Sequence, residues 1–355
     1  MTSVLSRVNR RLLSMSSPFL LLCAFVFVTP APALARERDW QPHRTWVFVV
    51  GTLRFKHADM FDSFPQENRR DAELVSFFRQ QGVPAPQLIY LRDREATARR
   101  IESAFVQHLS RAREGDWLFL YYTGHGYRPD GDDESDAYLA SYDAGDEGVP
   151  GWRVNSIPAA IERYFKGSHA FLTLDNCYSG SLVEAVRERT TRVSYAVLTS
   201  ASADQVSTAE WTFTEGLLAA LRGKSYEDSN NDGQVTLGEM AEQVKEDMSF
   251  AERQRAAFAT TGNFSPQTVL SRAERKRDAR IGERVLVRSD GDWFKGRIID
   301  VDSEDSEFLI HYYGWDDSYD EWVEAEQIRQ PRAQRPNFGR KRLEGRRSNS
   351  FEARP

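Results

Sequence analysis

"DWLFLYYTGHG", residues 116–126, is the stretch on which the fold turns. Trp117 to Tyr122 are apolar or aromatic without alternation, the pattern of a strand buried on both faces. The run breaks into Thr123-Gly124-His125-Gly126, an imidazole between two glycines. A second run, "HAFLTLDNCYSGS" (169–181), ends in Asp175-Asn176-Cys177. Similar strands are expected at "TWVFVV" (45–50), "PQLIYL" (86–91) and "YAVLTS" (195–200). Helical spacing fills the gaps at 66–82, 97–115, 156–165 and 213–223. Short apolar strands alternating with amphipathic helices predict an α/β domain with a mostly parallel central sheet.

Beyond that domain the pattern changes. Residues 265–281 read as a charged linker, and 282–329 as short alternating strands that predict a small C-terminal β-barrel. The Arg-rich polar tail, 331–355, reads as disordered.

The N-terminus reads as a signal peptide. Arg7, Arg10 and Arg11 precede the apolar run "FLLLCAFVFV" (19–28), and "APALA" places Ala33 and Ala35 for cleavage after Ala35. The expected destination is periplasmic or extracellular. Cleavage removes three arginines and no acid, so the mature chain is more acidic than the formal −6 of the 355-residue sequence. That balance argues against nucleic-acid binding by the main domain. Cleavage also removes Cys23, leaving Cys177 without a disulfide partner.

In doubly wound sheets, ligands sit outside the carboxyl ends of the strands. If the strands ending at Thr123 and Asp175 are neighbours, His125 and Cys177 meet at one sheet edge. A thiol is mostly protonated at neutral pH and is commonly activated by an adjacent imidazole. Gly126 lets backbone approach a ligand and offers an N–H to a developing oxyanion, with the N–H of Cys177 as the second donor. Residue types alone leave open a structural cysteine and a turn histidine. Asp175 lies two residues before Cys177, so a strand projects both to one side. A carboxylate there favours a cationic Arg or Lys in the substrate.

"YYTGHG" and "LDNCYSGS" resemble the two catalytic motifs of the caspase-like cysteine peptidases, in the metacaspase and orthocaspase branch. The resemblance runs from about Arg44 to Phe264, with Thr123 where Ser is more usual. It implies a caspase–haemoglobinase-like sandwich and a Cys–His dyad. His125 would be general base and acid, Cys177 the nucleophile, and the N–H groups of Gly126 and Cys177 the oxyanion hole. It also implies cleavage after Arg or Lys at Asp175, with Asp71 nearby. Arg54, Arg69 and Arg70 near the first loop argue the other way, since Asp-specific relatives keep an Arg there. Self-processing is expected at 187–192 or 272–280, which are rich in Arg. The alternative is a catalytically silent scaffold whose barrel docks a protein partner.

Two acidic stretches suggest Ca2+. "DSNNDGQVTLGE" (228–239) fits the EF-hand loop, with Asp228, Asn230, Asp232, Gln234 and Glu239 as ligand positions and Gly233 at the turn. A structural role is expected for it. The run after His125 holds Asp130, Asp132 and Asp133, where the resemblance implies a weaker, activating site; Asp136 and Asp143 are lesser candidates.

"GERVLVRSDGDWFKGRIIDV" and "FLIHYYGWDDSYDEWV" resemble a chromo-barrel, or Tudor-knot, domain. The resemblance implies an aromatic cage at Phe294, Tyr312, Trp315 and Tyr319, able to hold a cation. Phe294 and Tyr319 depart from the usual Tyr and Trp, and Trp322 is expected in the core. The barrel's partner is expected to be a protein or peptide.

Overall fold

The computed structural model describes residues 39–129, 136–187, 191–276, 278–289 and 291–331. The elements alternate: β1 (Thr45–Gly51), α1 (Arg70–Gln80), β2 (Leu88–Arg92), α2 (Ala98–Ser110) and β3 (Trp117–Thr123). Three short strands follow, β4 (Gly126–Tyr127), β5 (Tyr138–Leu139) and β6 (Trp152–Arg153), and then α3 (Ser156–Tyr164) and β7 (His169–Asp175). After these come α4 (Ser181–Arg187), β8 (Ser194–Thr199), α5 (Thr212–Arg222), β9 (Gln234–Thr236), α6 (Leu237–Asp247), β10 (Ala257–Thr260) and β11 (Val269–Arg272).

The central sheet has the order β10-β8-β7-β3-β1-β2. Its strands are parallel except β10, which pairs antiparallel with β8. Every residue of β1, β3 and β8 is buried, as unalternating apolar runs require. Successive side chains feed opposite cores. Phe48, Leu120 and Leu172 pack under α2, α3 and α4. Val47, Phe119 and Phe171 pack under α1, α5 and α6. The fold is therefore mixed α/β with a mostly parallel sheet covered on both faces.

Two strands depart from the expected layout. Residues 265–281 contain a strand, β11, paired antiparallel with β9. Val269 and Leu270 are too apolar to leave in water, and Leu270 joins the core under α5. Strand β10 was also hidden, since "AFAT" (257–260) is short and only partly buried.

The C-terminal sheet has the order β15-β14-β13-β12-β16: β12 (Arg284–Ser289), β13 (Asp292–Asp302), β14 (Glu307–Tyr312), β15 (Glu321–Glu324) and β16 (Ile328–Arg329). It curls around Val285, Val287, Ile298, Phe308, Ile310 and Val323. Trp322 is not in this core. It is 46% exposed, whereas Val323 is buried, because neighbours on a strand face opposite sides.

The barrel is fastened to the α/β body through charge. Arg297 on β13 is buried between Glu227 and Asp247. Arg284 reaches Asp247 at 2.8 Å, and the hydroxyl of Tyr313 donates to the same carboxylate. Nearer the mouth of the sheet, Arg70 pairs with Asp317, and His311 lies between Glu215 and Asp320. Those two carboxylates outweigh burial and raise His311 to about 9.

Candidate active site

Strands β3 and β7 pair in register, with Thr123 opposite Asp175. His125 and Cys177 each lie two residues beyond that pair. Both line one cleft of about 530 Å³ at the carboxyl end of the sheet. The backbones converge so closely that a Cβ on Gly126 would collide with the Asn176 side chain and the Cys177 carbonyl. Any larger residue at 126 would push the two loops apart.

The His125 ring is held from both sides. Its Nε2 lies 2.8 Å from the carbonyl oxygen of Asp62. A carbonyl only accepts, so Nε2 carries the proton and Nδ1 keeps its lone pair. Phe64, Phe55 and Phe61 box the ring at centroid distances of 4.5, 5.1 and 5.7 Å. Burial in that box pulls the imidazole below its ordinary pKa, against the opposing pull of Asp62. Behind it, the Tyr122 hydroxyl lies 2.9 Å from each of the carbonyls of His125 and Ala140.

The Cys177 sulfur accepts from the backbone N–H of Ser207 at 3.2 Å. Burial pushes the thiol up. The N–H groups of Ser207, Cys177 and Gly126 pull the other way without prevailing. Both shifts favour the neutral form of each group.

Asp175 is the third group of the cleft. Tyr121 donates to Thr214, and Thr214 donates to Asp175 Oδ2 at 2.8 Å. Burial nevertheless raises this carboxyl to about 7 against the hydrogen bonds of Thr214 and Ser200, and Glu252 and Glu215 add to the rise. Arg70 is engaged by Glu73, Glu215 and Asp317. Asp71 does not line the cleft. It is fully buried and shared between Arg69 and the Tyr90 hydroxyl. Arg69 is engaged in turn by Asp71 and Asp93.

The loop 228–239 keeps its Asx-rich form. Asp228 accepts from the N–H groups of Asp232 and Gly233, and Asn230 and Asp232 accept from the loop backbone as well. Glu239 gives one oxygen to Ser229 and Asn230 and the other to a capping box with Thr236. Among the described residues, no group of three or more His, Cys, Asp or Glu is placed to hold a metal ion. These backbone contacts fold the loop into a tight turn, and they leave each accepting oxygen further lone pairs. Asp130, Asp132 and Asp133 lie outside the described residues, as do 188–190 of the 187–192 segment and the whole of 1–35. Asp136 pairs with Arg153, and Asp143 accepts from the N–H of Ala98 at the start of α2.

Several cleft residues were not legible in the sequence. The Asp62 carbonyl and the Ser207 N–H are backbone groups, which no side-chain pattern announces. Trp315, Asp316 and Tyr319 line the cleft from the barrel, more than 130 positions after Cys177. The four expected cage residues do adjoin one another. Phe294 meets Tyr312 at 6.1 Å and Trp315 at 6.4 Å, and Trp315 meets Tyr319 at 4.8 Å.

Residues 279–330 match the Tudor-knot family, the RNA binding activity-knot of a chromodomain. The chain also has a distant relative, Metacaspase-7 of Arabidopsis thaliana, 28% identical over 102 residues. That match covers 27% of this chain and 24% of the relative, so the chain spans about a quarter of that protein's length. Among solved structures, protein GSU0716 from Geobacter sulfurreducens superimposes with a TM-score of 0.44 at 15% identity. The superposition covers 64% of this chain and 99% of that one.

Proposed function

We propose that this chain is a caspase-like cysteine endopeptidase that cleaves after Arg or Lys. The observation that carries the reading is the register of β3 and β7, which brings an oriented imidazole and a lone thiol to one cleft. Nδ1 of His125 takes the thiol proton as sulfur attacks the peptide carbonyl. The N–H groups of Gly126 and Cys177 receive the negative charge on oxygen. The imidazolium, steadied by the Asp62 carbonyl, returns the proton to the leaving amine. Water then hydrolyses the thioester with the imidazole again as base. In this reading Asp175 receives the basic side chain, while Arg69 and Arg70 are neutralised by their own partners. Asp71 is not part of the proposed pocket.

The test is a fluorogenic panel with Arg, Lys, Asp or Ala before the cleaved bond, run with and without iodoacetamide. Turnover of the Arg and Lys peptides that stops when Cys177 alone is alkylated supports the reading. Turnover of none, or equal turnover of all, rejects it.

Asp175 adds a pH signature. Below about 7 its carboxyl is protonated and cannot pair with a guanidinium. Thus kcat/KM for an Arg peptide is expected to rise tenfold per pH unit below that value and then level. Asp175→Asn should lose this limb and at least 100-fold of the Arg preference. Folding shows the opposite sign. A carboxyl raised in the folded state costs stability as pH climbs from about 4 to 7, up to roughly 4 kcal/mol. Asp175→Asn should therefore melt higher than wild type at pH 8 and nearly equal to it at pH 4. Identical melting at both pH values would contradict the raised, buried carboxyl.

Export and self-processing belong to the same proposal and rest on residues 1–35 and on the Arg-rich 187–192 or 272–280. Calcium binding at 228–239 is a separable part. If the loop binds it, millimolar Ca2+ raises the melting temperature of wild type but not of Asp228→Ala. No rise in either leaves the loop a hydrogen-bonded turn.

A further inference from the structure

One wall of the cleft is not used by the chemistry above. It is built by the Tudor-knot domain, whose Trp315, Asp316 and Tyr319 line the cavity that holds His125 and Cys177. Trp315 and Tyr319 are 44% and 53% exposed, although most large aromatic side chains here are buried. They stand edge to face, and Phe294 backs Trp315. Glu67 and Glu210 line the same cleft. Among the described residues neither makes an ion pair, and Glu210 abuts the barrel turn at Gly314. The wall is fixed in place, since Asn68 donates to Asp316 at 2.7 Å and Arg70 pairs with Asp317.

Exposed indole and phenol faces beside unpaired carboxylates attract a cation and repel a phosphate. We propose that this wall is a second basic-residue subsite, taking a Lys or Arg of the peptide other than the one held at Asp175. The inference rests on the peptidase reading for the peptide's course through the cleft. The chain then prefers paired or clustered basic residues over a single one. The barrel acts as part of the substrate site rather than as a remote docking module. An RNA strand is the less favoured occupant, because its phosphates would face Glu67, Glu210 and Asp316.

The experiment uses the full chain carrying Cys177→Ala, so that peptides bind without turnover. Calorimetry compares a peptide with one Arg against a set in which a Lys is scanned through the four positions on either side. At least one Lys position is expected to bind about fivefold more tightly than Ala there. That gain should vanish with Trp315→Ala plus Tyr319→Ala, shrink with Glu210→Gln, and survive in part with Trp315→Phe. Gain at no position, or gain that survives removal of both aromatic rings, overturns the subsite. So does tighter binding of a single-stranded oligoribonucleotide than of any peptide. If wild-type protein hydrolyses none of these peptides, the peptidase reading fails, while the binding comparison still decides the subsite.

Discussion

Cys177→Ala is expected to lower kcat on an Arg peptide by about 10^4-fold or more, and His125→Ala by a similar factor. The double variant should lose little beyond either single one, because base and nucleophile act as a unit. Melting temperatures should stay close to wild type, since the Cys177 sulfur bonds only to the backbone of Ser207 among the described residues and is only partly buried. The resting state adds a sharper test. Burial raises the thiol and lowers the imidazole, so little thiolate exists at neutral pH. Alkylation by iodoacetamide should be slow at pH 6 and climb through the alkaline range. Fast alkylation at pH 6 would instead indicate a preformed thiolate–imidazolium pair and overturn the neutral-pair mechanism. Residual peptidase activity in Cys177→Ala near the wild-type rate would exclude this thiol as nucleophile.

The second large effect concerns the barrel's attachment. Arg297 is buried with two carboxylates, Glu227 and Asp247. Burial raises Glu227 to about 8 despite the attraction of Arg297. Arg297→Ala removes the guanidinium shared by Glu227 and Asp247 and leaves Asp247 to Arg284 and Tyr313 alone, and breaking a buried pair costs about 3–5 kcal/mol. The expected outcome is a fall of several degrees in melting temperature and early proteolysis between the two parts. Arg297→Lys should recover only part of this, because an ammonium cannot span two carboxylates as a guanidinium does. An unchanged melting temperature would mean that the interface does not depend on this residue.

The sheet was legible because its strands are continuous apolar runs with nothing to alternate. The helices were legible from spacing and stops, Gly223 among them, which ends α5 in the left-handed region. His125 and Cys177 could be singled out because each follows such a run directly. What stayed hidden depends on how distant segments meet. Asp71 looked like a pocket residue until its place beside Arg69 and Tyr90 was known. Trp322 looked like core because aromatic residues so often are, yet its neighbour Val323 takes the inward position. Strand β11 was masked by its charged surroundings, and two apolar residues sufficed to fold it back. Contacts between the barrel and the cleft have no local pattern at all.

The register of β3 and β7 has a consequence for how this sequence can change. Parallel strands bonded residue for residue tolerate exchange of side chains but not of length. One residue inserted into 117–123 or 169–175 would rotate everything after it to the other face and carry His125 or Cys177 away from the shared cleft. Drift within such a lineage should therefore appear as substitutions inside these two windows, with gains and losses of length confined to the connecting loops.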